Sequence, residues 1–226
     1  MESIITCIDL TKKYQIFDES IRALSEINLD IKKGEFICFV GPSGSGKTTL
    51  LNLLGLLDKP SSGEIVVDGK SISQMTSSSI DNIRRENFGY VFQRPNLLPT
   101  LTVYKNIELT LLIQNKIKGT TDRKKLIFEL LKFLELDDKI YNYPSQLSIG
   151  QQQRIALARA IIHKPSVLLL DEPTGSLDRE NSDLIVDILR KLFLKFNSTI
   201  LLVTHDLQVA KAGTKILYLE DGIIIE

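Results

Sequence analysis

The chain has 226 residues, 43% of them hydrophobic, with 28 acidic against 28 basic side chains, which is enough chain to bury a real core in one large domain. The balanced charge leaves no electrostatic footprint for nucleic acid or an anionic membrane surface, so no nucleic-acid partner is expected. No apolar stretch approaches the length of a bilayer span, and the first residues lack a signal-peptide layout, so the protein is expected to be soluble and cytoplasmic.

In chain order, Ile4 to Leu10 and the alternation Ile27, Leu29, Ile31 read as strands, joined later by Glu64-Ile65-Val66-Val67. Together they predict an antiparallel β layer. Cys7 and Cys38, the only cysteines, sit in apolar strand-like runs and read as reduced core thiols. Phe36-Ile37-Cys38-Phe39-Val40 is a short apolar strand, followed by Gly41-Pro42-Ser43-Gly44-Ser45-Gly46-Lys47-Thr48-Thr49. Leu50, Leu51, Leu53, Leu54 and Leu57 then recur at helical spacing. Ser61-Ser62 and Ser77-Ser78-Ser79 mark polar turns. Thr120 to Leu136 and Ser148 to Ile162 carry helical spacing without strand signals, which predicts an inserted helical subdomain. Val167 to Leu170 and Ile200 to Val203 complete, with Phe36 to Val40, a buried parallel sheet. Asp178 to Phe196 places Leu184, Ile185, Ile188, Leu189, Leu192 and Phe196 on one helical face. Lys215 to Leu219 and Ile223 to Ile225 flank Asp221-Gly222, a tight hairpin signal.

The run Gly41 to Thr49 fits G-x-x-x-x-G-K-[ST], and its strand, loop, helix context is the one phosphate binding requires. Glycines let successive amides point inward at phosphates, and the helix start adds its positive dipole end. Lys47 reaches the β- and γ-phosphates, and Thr48 offers a hydroxyl to Mg²⁺. Val167 to Leu170 ends in Asp171-Glu172-Pro173, which alone also fits a turn closing a buried strand. With the phosphate loop upstream, Asp171 is read as the Mg²⁺ anchor and Glu172 as the base for an attacking water. His205, after Ile200 to Thr204, falls at the same sheet edge and is read as a γ-phosphate contact. Gln93, closing Gly89-Tyr90-Val91-Phe92, offers an amide oxygen to Mg²⁺ or water. Ser148 and Gln151 fit a capping box opening a helix, and such a helix start also suits phosphate.

With these motifs in order, the chain resembles the nucleotide-binding cassette of ABC transporters from end to end. Gly41 to Thr49 looks like the Walker A loop, Gln93 the Q-loop, Leu147 to Gln151 the signature motif and Val167 to Glu172 the Walker B strand. Ser176-Leu177-Asp178 resembles the D-loop, His205 the switch histidine, and Tyr14 the aromatic that stacks on adenine. The resemblance implies an α/β P-loop NTPase core with a mixed, mainly parallel sheet, an N-terminal antiparallel layer and a helical insert. Residues 1–94 and 164–226 form the expected core, and residues 95–163 the helical subdomain, of one cassette spanning 1–226. It also implies ATP and Mg²⁺ as ligands and a head-to-tail homodimer, in which Ser148, Gly150 and Gln151 of one copy meet the ATP of the other. Asp178 then links the two sites, and the isolated monomer hydrolyses poorly.

Phe88 to Gln93, Asn96-Leu97-Leu98-Pro99 and Leu101-Thr102-Val103 resemble the branch serving macrolide export, lipoprotein release and antimicrobial-peptide resistance. A transmembrane permease is expected as a separate chain, since this one ends soon after the hairpin, with residues 94–106 as its docking surface. The cassette would then sit on the inner face of the membrane. Three positions depart from the family: Ile149 stands where the signature has Gly, Lys105 where relatives often carry Glu, and Ser176 where Ala or Asn is usual. Ile149 leaves its amide available, and the first helical turn tolerates Ile, which favours little effect; the competing expectation is slower closure with reduced hydrolysis. The competing reading is an ABC ATPase outside transport, acting on DNA or ribosomes or as a clamp in division or signalling; retained Glu172, Gln93 and His205 argue against a dead site.

Overall fold

The computed structural model describes residues 2–17, 19–114, 117, 119–196 and 198–225. Its first strands, β1 (Ser3–Ile16) and β2 (Glu19–Lys32), pair antiparallel and extend well past the apolar segments, because their outer ends are exposed and need no apolar face. The chain then enters a second sheet through β3 (Phe36–Val40), buried at all five positions, and returns to the first through β4 (Ser62–Val67) and β5 (Lys70–Ser71). The antiparallel sheet has the order β2-β1-β4-β5.

Between these strands, α1 (Lys47–Leu54) follows β3. It ends sooner than the leucine spacing predicts: Leu57 lies beyond it and is exposed. The serine triplet expected as a turn instead opens α2 (Ser77–Asn87), whose N-cap Thr76 accepts from the Ser79 amide at 3.3 Å. After β6 (Phe88–Val91) comes α3 (Val103–Gln114), which buries Val103, Ile107 and Leu111. Next is α4 (Thr120–Phe133), then α5 (Ile149–Ile161) and β7 (Val167–Asp171). Beyond them lie α6 (Arg179–Phe196), β8 (Thr199–Thr204), the short α7 (Leu207–Ala210), β9 (Lys215–Glu220) and β10 (Ile223–Ile225).

The six-stranded sheet has the order β10-β9-β3-β8-β7-β6. All its neighbours pair in parallel except β10, which folds back on β9 through Asp221 and Gly222, both at positive φ. That is the backbone an Asp-Gly hairpin turn needs.

Strand periodicity divides the core. Phe36, Cys38, Val40, Leu168, Leu170, Ile200 and Leu202 face α3 to α6. The intervening Ile37, Phe39, Leu169, Leu201 and Val203 face α1 and the antiparallel sheet. Apolar groups on both faces explain why these strands read as continuous apolar runs rather than alternating ones. On α6, Ile185, Ile188, Leu189 and Leu192 are buried as the spacing predicts, while the Phe196 side chain lies outside the described residues. Cys7 and Cys38 are buried free thiols, and burial pushes each up to about 12.

Candidate functional site

β3, β7 and β8 end on the same side of the parallel sheet, and their carboxyl ends deliver the chemistry. A cleft of about 410 Å³ opens there. Ser43, Gly44, Gly46, Lys47, Thr48 and Thr49 line it from the loop and α1, with Tyr14, Gln93, Asp171 and Glu172 around them.

The loop's geometry follows from its glycines. Gly46, at φ 100°, is the N-cap of α1 in a left-handed conformation, and no side chain caps that helix. First-turn amides are therefore free for an anion. Gly44, at φ 83°, has open space where a Cβ would project. Lys47 is buried, and its ammonium donates to the carbonyls of Gly41 and Pro42 at 2.8 and 2.7 Å, which holds a fixed positive charge beside the cradle. Ser45 is buried at the base of the loop, and its carbonyl accepts from the Gly222 amide at 3.1 Å.

Opposite the cradle, the Thr48 hydroxyl donates to Asp171 Oδ1 at 3.0 Å. Burial pushes the Asp171 carboxyl above its usual range and the neighbouring Glu172 charge adds to this, while the Thr48 hydrogen bond and Lys47 pull the other way. Among the described residues no cluster of three or more His, Cys, Asp or Glu could hold a metal. The donors here are a hydroxyl, one carboxylate and the Gln93 amide, hard oxygen ligands that suit Mg²⁺ shared with phosphates. Uncapped amides, a fixed ammonium and these oxygens fit a magnesium triphosphate.

Glu172 leaves β7 at φ 43°, with its amide bonded to the Val203 carbonyl at 2.9 Å. Its carboxylate Oε2 meets His205 Nδ1 at 3.0 Å, with the imidazole largely exposed. The sheet thus brings Asp171, Glu172 and His205 to one edge from two strands.

Seven residues expected around phosphate do not line this cleft: Gly41 and Ser45 at the base of the loop, His205 behind Glu172, and Ser148, Gly150, Gln151 and Asp178. Ser148 caps α5, accepting from the Gln151 amide at 3.2 Å, while the Gln151 side chain accepts from the Ser148 amide at 3.0 Å. Gly150 is buried against Asn181, whose side chain holds the Asp178 carboxylate at 2.9 Å to each oxygen. Hydrogen bonds from Asn181 keep the Asp178 carboxyl below its usual range. Ile149 is 54% exposed beside this assembly.

Sequence reasoning passed over Ala23, which lines the cleft from β2, and Lys12 and Asp58, which touch Tyr14. Lys12 and Asp58 are 46 residues apart, so no local spacing could join them.

Residues 24–175 match the family model described as ABC transporter. The chain is 44% identical to the ABC transporter ATP-binding protein MJ0796 of Methanocaldococcus jannaschii, covering 95% of this chain and 92% of that one. A dimeric structure of MJ0796 in a post-hydrolysis state, bound to ADP and Pi, superposes with a TM-score of 0.92 at 41% identity, covering 99% and 97% of the two chains. Identity is 42% to the lipoprotein-releasing system ATP-binding protein LolD of Buchnera aphidicola, over 97% of this chain and 95% of that one. It is 44% to the macrolide export ATP-binding/permease protein MacB of Vibrio parahaemolyticus, over 96% of this chain and 33% of that larger one. With the phosphate loop and the sheet-edge carboxylates assembled in one cleft, the chain belongs to the ABC transporter family, as its ATP-binding and ATP-hydrolysing cassette.

Proposed function

We propose that two copies of this chain close head to tail on ATP and so drive a separate transmembrane permease, in export, lipoprotein release or resistance to antimicrobial compounds. The observation that carries the reading is the division of phosphate-directed parts. Cradle, Thr48, Asp171 and Glu172 share one cleft, while the capped start of α5 with Ser148 and Gly150 stands apart from it. A helix start that serves no phosphate of its own chain is suited to a partner's. The dimeric MJ0796 cassette bound to ADP and Pi supports this, as do LolD and MacB through the systems they are named for.

In this reading Gly41, Ser43, Gly44, Ser45, Gly46, Lys47, Thr48 and Thr49 cradle the phosphates, and Tyr14 stacks on the base. Thr48, Asp171 and Gln93 hold Mg²⁺, which when bound neutralises charge between the β- and γ-phosphates. Glu172 takes the proton of the attacking water, and His205, already bonded to Glu172, orients that water and the γ-phosphate. Ser148, Gly150, Gln151 and Asp178 act across the dimer. Residues 1–94 and 164–226 make the nucleotide-holding core, and residues 95–163, which contain α3 to α5 and no strand among the described residues, the helical unit.

Among the described residues no helix is long and apolar enough to cross a membrane, so membrane attachment in this reading is peripheral, from the cytoplasmic side. Most of the expected docking segment, residues 94–106, is exposed or half-buried. Asn106, at one end of the expected 94–106 segment, is buried, with its amide spent on the carbonyls of Leu98, Leu101 and Thr102. The adjoining open groove between Arg84, Tyr90, Phe92, Ile113 and Arg159 offers the concave surface a permease helix needs.

The test is recovery of the Glu172→Gln chain with ATP from native membranes. A permease that co-purifies only with ATP is the expected result. Ribosomal or DNA-bound proteins in its place would leave the ATPase chemistry standing and overturn the transport reading in favour of a soluble clamp.

A further inference from the structure

Tyr14 is held more firmly than a stacking residue at a strand end requires. Its hydroxyl donates to Asp58 Oδ2 at 3.0 Å. The other carboxylate oxygen takes the Lys12 ammonium at 2.7 Å and the Lys59 amide at 2.7 Å. Lys12 also donates to the Lys59 carbonyl at 2.7 Å and stands over the Tyr14 ring, 4.9 Å from its centroid. Two hydrogen bonds and a cation–π contact hold the ammonium group, and the Lys12 side chain is only 11% exposed.

The two contacts restrain different motions. A phenol oxygen lies on the axis about which the ring spins, so Asp58 fixes where the ring is but not which way it faces. Lys12, on the ring face, fixes the facing. Lys12 and Tyr14 are two apart on β1, and across the register shift between Lys12 and Lys13 the ammonium still lies over the ring. Asp58 in turn is anchored to the phosphate-loop helix: the amides of Leu57 and Asp58 donate to the Asn52 carbonyl of α1 at 2.8 and 3.3 Å. An unbroken set of bonds therefore runs from Lys47, the first residue of α1, to the ring that lines the same cleft.

We propose that Lys12 and Asp58 are positioning residues that hold the Tyr14 ring in register with the phosphate loop, with one face covered by Lys12 and the other presented to the nucleotide base. The inference rests on the reading of Tyr14 as the base-stacking residue. It implies tight seating of any planar base, with no hydrogen-bond selection of adenine by these three residues, since stacking is tolerant of base identity.

The experiment is calorimetric titration of the full chain and its variants with MgATP and with inorganic triphosphate, which has no base to stack. Asp58→Asn, Lys12→Met and Tyr14→Phe are each expected to weaken ATP about three- to tenfold and to leave triphosphate affinity unchanged. Asp58→Asn with Tyr14→Phe should weaken ATP by less than the product of the two single effects, because both act on the Tyr14–Asp58 bond. A merely structural role would weaken both ligands together, and that result overturns the proposal. If Tyr14→Ala weakens ATP about tenfold or more while Asp58→Asn and Lys12→Met bind like the parent, the stacking reading stands and the positioning proposal falls. If Tyr14→Ala binds ATP as the parent does, both fall.

Discussion

Glu172 sits at φ 43°, a region that costs a non-glycine residue of order 1 kcal/mol or more and persists only where the surroundings enforce it. The enforcing bonds are visible: its amide is tied to Val203 and its carbonyl accepts from Gly175. The turn lifts the carboxylate off the strand axis toward His205. Replacing Glu172 with Gln keeps the shape and removes the base, so multiple turnover should be lost while the ATP-bound dimer persists. Steady-state hydrolysis and size-exclusion chromatography with ATP check both; full residual hydrolysis would rule Glu172 out as base. Lys47→Ala should weaken ATP at least tenfold, since it removes a buried cation within reach of the cradle. Unchanged affinity in a direct titration would defeat the phosphate-loop assignment. Ile149 projects from the first turn of α5 with no steric conflict inside its own chain, so any effect belongs to the closed pair. Ile149→Gly is expected to raise turnover severalfold, and an unchanged rate would remove the idea.

Among the elements, α5 and α6 are interlocked at their starts. A Cβ at Gly150 would strike the Asn181 side chain, the same group that holds Asp178. Gly150→Ala should displace Asn181 and free Asp178, costing hydrolysis while leaving ATP affinity intact, because neither residue lines the chain's own cleft. Parallel titration and turnover assays separate the two. The strands carrying the site were legible because burial on both faces leaves an unmistakable apolar run, as in Phe36 to Val40 and Ile200 to Val203. The polar α2 fully buries no residue and packs only Ile80 and Ile83, three apart, against the core, too short an apolar pattern to stand out; its cap Thr76 is the other local mark. For α3 the signal is present in Val103, Ile107 and Leu111, four apart, inside the stretch expected to be helical. Contacts such as Tyr14 with Asp58 join β1 to the turn that follows α1 and have no signature along the chain. Cys7 and Cys38, with thiols pushed up to about 12, should resist alkylation at neutral pH until the protein unfolds, which mass spectrometry across a denaturant series would detect.

For the whole molecule, the two-faced core makes a stiff platform whose sheet edge holds one part of a reaction site and whose α5 start holds another. Because one copy cannot bring its own two parts together, each copy both needs a neighbour and supplies one. Chains carrying Lys47→Ala keep a sound α5 start, and chains carrying Ser148→Arg keep a sound cradle. Either alone should be inert. Mixed in equal amounts, they should regain roughly a quarter of the reaction centres, one in each mixed pair. Two defects that are each complete in isolation would thus rescue one another in a cell that makes both.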